Sequence, residues 1–216
     1  MELFHGPLTL PGALRFGSES ERQVSRGILG FFKRSADLLQ AAGLIDAAGE
    51  PGLVFSEDRM EAGKLGEQAA NTLPRTSLPG RAEIGYLRSL TVDGLTAKRI
   101  RWDQLTVLKD ACGLANAFLC SLALKALEKG HRVQLCPSLL DPEKLEAVLL
   151  PELGMAWISD RVGISGATLK LDEIPDPERR YALKEAIKRD RTLQQALIQQ
   201  AAEQMQMAGI LYQVFE

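Results

Sequence analysis

Apolar residues return every three or four positions through Val24, Ile28, Phe31, Phe32, Ala36, Leu38, Leu39 and Ala42. That spacing places them on one face of an α-helix. The run Ser-Glu-Ser-Glu after Gly17 supplies capping chemistry at its start, and Gly43 supplies a stop. Residues 47–51 read as a turn, and residues 56–73 predict a second helix capped by Ser56. Two prolines mark residues 74–80 as a linker. The irregular stretch that follows, up to Arg101, is read as a short strand near Ile84 or a turn of helix over residues 86–90.

From residue 104 the pattern alternates between strand and helix. Strands are predicted over residues 104–108, 132–136, 154–159 and 167–171, and helices over residues 113–129 and 141–149. Gly130 ends the first of these helices, Asp141-Pro-Glu143 opens the second, and Pro151 breaks the chain after it. Such alternation implies an α/β fold, with parallel pairing and three layers. From Pro177 one long helix is expected, with Leu183, Ile187, Leu193, Leu197, Ala201, Met205, Ala208, Leu211 and Phe215 as its core stripe. Its first turns carry Arg179, Arg180, Lys184, Lys188, Arg189 and Arg191, of which Arg180, Lys184 and Lys188 share a face. This is a solvated face or a contact for phosphate or RNA.

With 216 residues, 45% hydrophobic and 25% charged, the chain has ordinary globular composition and length for one core with an appendage. A formal charge of -2 gives no general attraction for nucleic acid or an anionic membrane. The first residues lack a basic start followed by an apolar run, and the best apolar stretch, residues 117–127, is interrupted by Lys125. The expected location is the cytoplasm, with no membrane partner. Cys112, Cys120 and Cys136 lack metal-ligand spacing and are expected to be reduced, buried thiols, the alternative being a reactive thiolate at Cys112 near a helix N-terminus. The histidines are His5 and His131 alone, and neither an H-E-x-x-H pattern nor a nucleophile elbow occurs. His131 falls at a strand start, where a structural role is expected.

An internal repeat connects the two ends of the chain. Ala36-Asp-Leu-Leu-Gln-Ala-Ala-Gly-Leu-Ile45 aligns without gaps on Ala202-Glu-Gln-Met-Gln-Met-Ala-Gly-Ile-Leu211, with four identities. Thr9-Leu-Pro-Gly12 similarly matches Ser77-Leu-Pro-Gly80 ahead of each copy. Gly12 and Gly43 are 31 positions apart and Gly80 and Gly209 are 129 apart, so the second copy carries 98 more. A tandem duplication whose first copy lost its α/β core accounts for this. The expected division is a helical remnant over residues 1–77 and an α/β domain over residues 78–216.

Residues 105–119 have the layout of a strand, a phosphate loop and a helix. In the pattern G-x-x-x-x-G-K-[ST], glycines let backbone N–H groups turn inward, lysine reaches the terminal phosphates and the hydroxyl holds magnesium. Laid over residues 110–117, that pattern meets Asp110 at the first glycine, Ala115 at the second, Asn116 at the lysine and Ala117 at the hydroxyl. Gly113 is the interior glycine that remains, between Cys112 and Leu114. Two unit charges about 5 Å apart interact by about 3 kcal/mol at an effective dielectric of ~20. Losing a lysine and gaining a carboxylate therefore each disfavour a polyphosphate.

The order of segments resembles a family of bacterial P-loop ATPases whose chains contain two tandem NTPase-like repeats. The resemblance lies in the strand and loop helix, then Leu127-Glu-Lys-Gly-His-Arg-Val133, Leu140-Asp-Pro-Glu-Lys-Leu145, Leu149-Leu-Pro-Glu-Leu-Gly154, a strand ending in Asp160, and the closing Ala-Gly-Ile-Leu-Tyr-Gln-Val-Phe-Glu. It implies a P-loop NTPase-like parallel sheet flanked by helices, with an N-terminal helical appendage and a long C-terminal helix. It also implies that Asp110, Cys112, Gly113, Leu114, Ala115, Asn116 and Ala117 are the remnant of the nucleotide site. Asp160 would match the acidic residue near the metal, with Asp141 and Glu152 on the same edge.

The leading expectation is a non-hydrolysing relative of these ATPases, a binding or scaffold protein that forms homo-oligomers or pairs with an intact homologue, without a required cofactor. The second is a protein that still takes ATP and Mg through the N–H groups at the start of the Gly113 helix, with Lys109 or the Arg179 to Arg191 cluster supplying the cation. Nucleic-acid binding through the basic helix face is the third, opposed by acidic composition elsewhere.

Overall fold

The computed structural model describes residues 19–48, 54–91, 93–98 and 102–213. Two helices come first, α1 (Glu19–Ala48) and α2 (Ser56–Asn71). Three short strands follow, β1 (Arg81–Ile84), β2 (Arg88–Thr91) and β3 (Gly94–Ala97), and then β4 (Gln104–Lys109). Helix α3 (Ala115–Glu128) leads to β5 (Arg132–Pro137), β6 (Leu145–Leu150), β7 (Met155–Ser159) and β8 (Ala167–Lys170), and α4 (Pro177–Gln213) closes the chain. The expected turn over residues 47–51 falls partly within α1 and otherwise outside the described residues, and His5 lies outside them altogether.

The fold is α/β, with a six-stranded sheet in the order β1-β5-β6-β7-β4-β8. It is mixed rather than parallel throughout, because β6 runs antiparallel to both β5 and β7 while the remaining pairs are parallel. The correction originates in residues 141–149, expected as a helix. Ala147, Val148, Leu149 and Leu150 are all buried, as in a central strand covered on both faces, where an apolar run need show no alternation. Pro151 and a left-handed Gly154 (φ 62°) then turn the chain tightly into β7. Residues 86–90 likewise form no helical turn, since β2 pairs with β3 in an antiparallel hairpin.

One face of the sheet is covered by helices. Phe118, Leu119, Leu122 and Ala126 of α3, all fully buried, pack with Val133, Val148, Leu150 and Trp157 of the sheet and with Ala62 and Ala70 of α2. Burying a side chain such as Phe118 contributes about 1.5–3 kcal/mol. Gly66 allows α2 to lie close against α3, because a Cβ there would stand 2.3 Å from the Phe118 carbonyl oxygen. The opposite face holds Ala147, Leu149, Ala156 and Ile158 against Leu87, Ala97 and Trp102, so a hairpin with its flanking residues covers it where a second helical layer was expected.

Helices α1 and α4 form an antiparallel pair. Arg34 Nε donates to Gln204 Oε1 (2.9 Å), Ser35 Oγ to the Ala201 carbonyl (3.0 Å) and Gln194 Nε2 to the Ala42 carbonyl (3.2 Å). Gly43 is not the stop expected of it, since α1 continues to Ala48. It is where α1 meets the loop after β5, with the Leu140 carbonyl oxygen 2.0 Å from where a Cβ would be. Ser56 is the first helical residue of α2 and not its cap; the Asp58 carboxylate accepts the Phe55 N–H (2.9 Å) instead. No helix among the described residues is long and apolar enough to cross a membrane.

Candidate functional site

Helix α3 carries the chain from β4 to β5, on one side of β4, whereas the loop after β7 leads to β8, on the other side. The adjacent strands β4 and β7 therefore send their connections in opposite directions. In α/β sheets a crevice outside the carboxyl ends of such strands is the usual place for a ligand. A pocket of about 40 Å³ opens there, and its lining includes Asp110 and Gly113 from the loop after β4, Ala115 and Asn116 from the first turn of α3, Ser159 at the end of β7 and Arg161 just beyond it.

Asp110 is 2% exposed and its carboxylate fills the loop from within. Oδ1 accepts the N–H groups of Cys112 (3.1 Å) and Leu114 (2.8 Å), and Oδ2 accepts that of Ala115 (2.7 Å). Gly113 makes the curl feasible with φ 78°, a left-handed conformation in which a Cβ would be strained. These donors lie at the start of α3, where unpaired N–H groups and the helix dipole favour an anion. That anion is supplied by the protein's own side chain.

Asn116 stands on the first turn of α3 and is tied elsewhere. Its Oδ1 accepts the Leu145 N–H at 2.9 Å and so fixes the start of β6 against the helix. Ala117 is half-buried against the main core and does not line the pocket. Cys112 is buried; burial first and the Asp110 carboxylate second push its thiol up to about 11, which leaves no reactive thiolate near neutral pH. Cys136 is buried too and is pushed up to about 12, whereas Cys120, expected in the core, is exposed on α3.

Asp160 follows β7 and opens a short turn of 3-10 helix. Its Oδ1 is buried without a hydrogen-bond partner among the described residues, yet the residue is not part of the pocket lining. Asp141 lies beyond β5, on the edge where β4 ends, but Glu152 lies on the turn between β6 and β7, at the opposite edge. The expectation that Glu152 shares the edge with Asp160 is thus corrected, and the cause is again the reversed direction of β6. No group of His, Cys, Asp and Glu among the described residues is arranged to hold a metal ion. His131 is buried with Nε2 2.7 Å from the Pro74 carbonyl oxygen, a structural contact.

The basic stretch of α4 is divided. Arg179 pairs with the buried Asp58 (2.7 Å) and with Asp176, which fastens α4 to α2. Arg191 Nη2 lies 3.5 Å from the Asp110 carbonyl oxygen, which brings one cation of the cluster to the loop. The Lys184 side chain lies outside the described residues.

Residues absent from the sequence reading complete the pocket. Arg88 of β2 donates from Nε (2.9 Å) and Nη2 to Oε2 of Glu146, and their side chains are 10% and 4% exposed. Ser138 and Lys144 also line it. Glu146 owes its position to a register shift: Cys136 faces Ala147 and Pro137 faces Leu145, leaving Glu146 as the extra residue of a bulge. Bulges beside sites commonly re-aim a side chain in this way. The apolar run of residues 147–150 fits a buried strand as well as a helix, and no sequence signal marks the bulge at Glu146. No family model, curated protein or solved structure matches this chain.

Proposed function

We propose that this chain is a degenerate relative of P-loop ATPases that does not hydrolyse ATP and serves as a binding or scaffold protein. The observation that carries the reading is the Asp110 carboxylate accepting three backbone N–H groups of the loop. Those are the groups a phosphate would need. A polyphosphate brought about 5 Å from this carboxylate meets a repulsion of about 3 kcal/mol at an effective dielectric of ~20. Asn116 adds no charge where a lysine would neutralise the γ-phosphate, and its amide oxygen is already used to hold β6. Phosphoryl transfer depends almost entirely on such positioning and charge stabilisation. Size points the same way, since the pocket measures about 40 Å³ and small-molecule sites commonly run to ~300–1,000 Å³.

Strand, loop and helix in this order at a switch point support the inherited part of the reading. The long α1 and α4 pair gives the scaffold role its surface, offered to a second copy or an intact homologue. Titration of the full chain with Mg-ATP, Mg-ADP and GTP by calorimetry, beside a phosphate-release assay, tests the proposal. No heat of binding at micromolar nucleotide and no release above background are expected. Hydrolysis of Mg-ATP that disappears in Asp160→Ala overturns it. Micromolar binding without turnover favours the second reading, a nucleotide-binding protein with a non-standard loop, for which Arg191 beside the Asp110 carbonyl is the specific support.

A further inference from the structure

Glu146 is 4% exposed, and both hydrogen bonds from Arg88 go to Oε2. Oε1 has no hydrogen-bond partner among the described residues. A buried carboxylate oxygen left without a donor is costly, and a molecule bound in the pocket can supply one. The rest of the lining is rich in donors: Arg88, Lys144 and Arg161 carry positive charge, and Ser138 and Ser159 carry hydroxyls. Both serine oxygens already accept a backbone N–H, from Leu140 and from Arg161 respectively, which directs their hydroxyl hydrogens to another acceptor. Three cations and the carboxylates of Glu146 and Asp110 line it, with Arg88 paired to Glu146 and Lys144 to Asp141 at 3.5 Å.

The pocket therefore asks for a small group that offers several acceptor oxygens and one donor at once. At about 40 Å³ it has the capacity of a few waters, each needing ~10–15 Å³ on the same measure. A tetrahedral oxyanion has this size. We propose that the pocket binds a single protonated tetrahedral oxyanion, hydrogen phosphate being the simplest, whose P–O–H donates to Glu146 while its remaining oxygens accept from Arg88, Lys144, Arg161, Ser138 and Ser159. Glu146 thereby selects an oxyanion that carries a proton against one that carries none. This assignment does not depend on the ATPase ancestry of the loop: the loop N–H groups are occupied by Asp110 and take no part in it, and the Asp110 charge that opposes a polyphosphate is faced here by Arg88, Lys144 and Arg161 on the same lining.

Inorganic phosphate, methyl phosphate and sulfate separate the alternatives in calorimetric titrations of the full chain. Near pH 8 hydrogen phosphate keeps a proton, a phosphomonoester with its second pKa of ~6 has lost it, and sulfate has none. The expected result is phosphate bound at least about tenfold more tightly than either, since a site built around a hydrogen bond rejects the analogue that lacks it. In Glu146→Gln the amide offers an N–H as well as an oxygen, and the preference should shrink to about threefold or less. Ser159→Ala should weaken all three anions alike. Equal affinity of the wild-type chain for the three anions overturns the proposal, and so does the absence of phosphate binding at millimolar concentration. Should Glu146→Gln fail to fold, the wild-type discrimination decides alone.

Discussion

Ser35 Oγ donates to the carbonyl oxygen of Ala201 at 3.0 Å, in the buried seam between α1 and α4. The two residues are 166 positions apart, the same offset that aligns Ala36 with Ala202 in the sequence repeat. The two residues immediately precede the segments Ala36–Ile45 and Ala202–Leu211 that align in the sequence. In an antiparallel pair such a contact is the expected geometry of a local two-fold axis, and the contacts Arg34 to Gln204 and Ala42 to Gln194 fall on either side of it.

Ser35 and Ala201 are 1% and 0% exposed, so neither position has room for a larger group. Ser35→Leu and Ala201→Leu should each destabilise by about 1–3 kcal/mol through overpacking. Their near equality, measured by urea denaturation, checks the symmetry. Ser35→Ala should cost about 1 kcal/mol or less, because the lost hydrogen bond is offset by better helix propensity.

Gly43 and Gly209 are also equivalent in the repeat, yet they meet different surroundings. A Cβ at Gly43 would collide with the Leu140 backbone, whereas nothing lies within 4 Å of one at Gly209. Gly209→Ala should stabilise by up to ~1 kcal/mol through helix propensity. Gly43→Ala should lower the melting temperature clearly, and equal shifts for the two would show that α1 does not press on the β5 to β6 loop.

Asp110→Ala leaves three backbone donors at the start of α3 without their acceptor. A loss of about 2–4 kcal/mol in chemical denaturation is expected. Asp110→Asn keeps one acceptor oxygen and should lose roughly half as much. An unchanged midpoint in Asp110→Ala would mean that the carboxylate does not organise the loop.

The cysteines should differ in reactivity. Cys120 is exposed, whereas Cys112 and Cys136 are buried with thiols pushed up to about 11 and about 12. A maleimide should label one thiol in the native protein and all three after unfolding in guanidinium, with Cys120→Ser abolishing native labelling. Labelling of Cys112 in the native state would show an open loop.

Burial raises the pKa of Glu146 above its ordinary value, with Arg88 pulling against it. Between the ordinary and the folded value the native state holds a proton that the unfolded chain has lost. Stability should therefore fall as pH rises across that window and run level above it. Glu146→Gln should lack this decline, which denaturation midpoints across the acidic range would reveal.

Much of this fold is legible in the sequence because periodicity reports burial. The stripe from Val24 to Ala42 and the long helix after Pro177 have one apolar face each, and strands at residues 104 and 155 begin where turn chemistry ends. The reading fails where periodicity carries two meanings. Leu-Glu-Ala-Val-Leu-Leu is as apolar as a helix and as short as a strand, and only its neighbours in the sheet decide. Mistaking β6 for a helix made the sheet parallel and moved Glu152 to the wrong edge. It also hid Glu146, whose position depends on a one-residue bulge that no spacing rule reveals. Asp110 was legible as a missing glycine, but its three hydrogen bonds were not, since they require the curl that Gly113 permits.

The order of strands leaves β1 and β8 at the two margins of the sheet. Both are only four residues long, and both carry lysine or arginine: Arg81 on β1, beside the Glu83 to Arg132 ion pair, and Lys170 on β8. A margin this short and this charged is a poor template for another chain's backbone. The consequence is that neither margin of the six-stranded sheet favours strand-by-strand polymerisation.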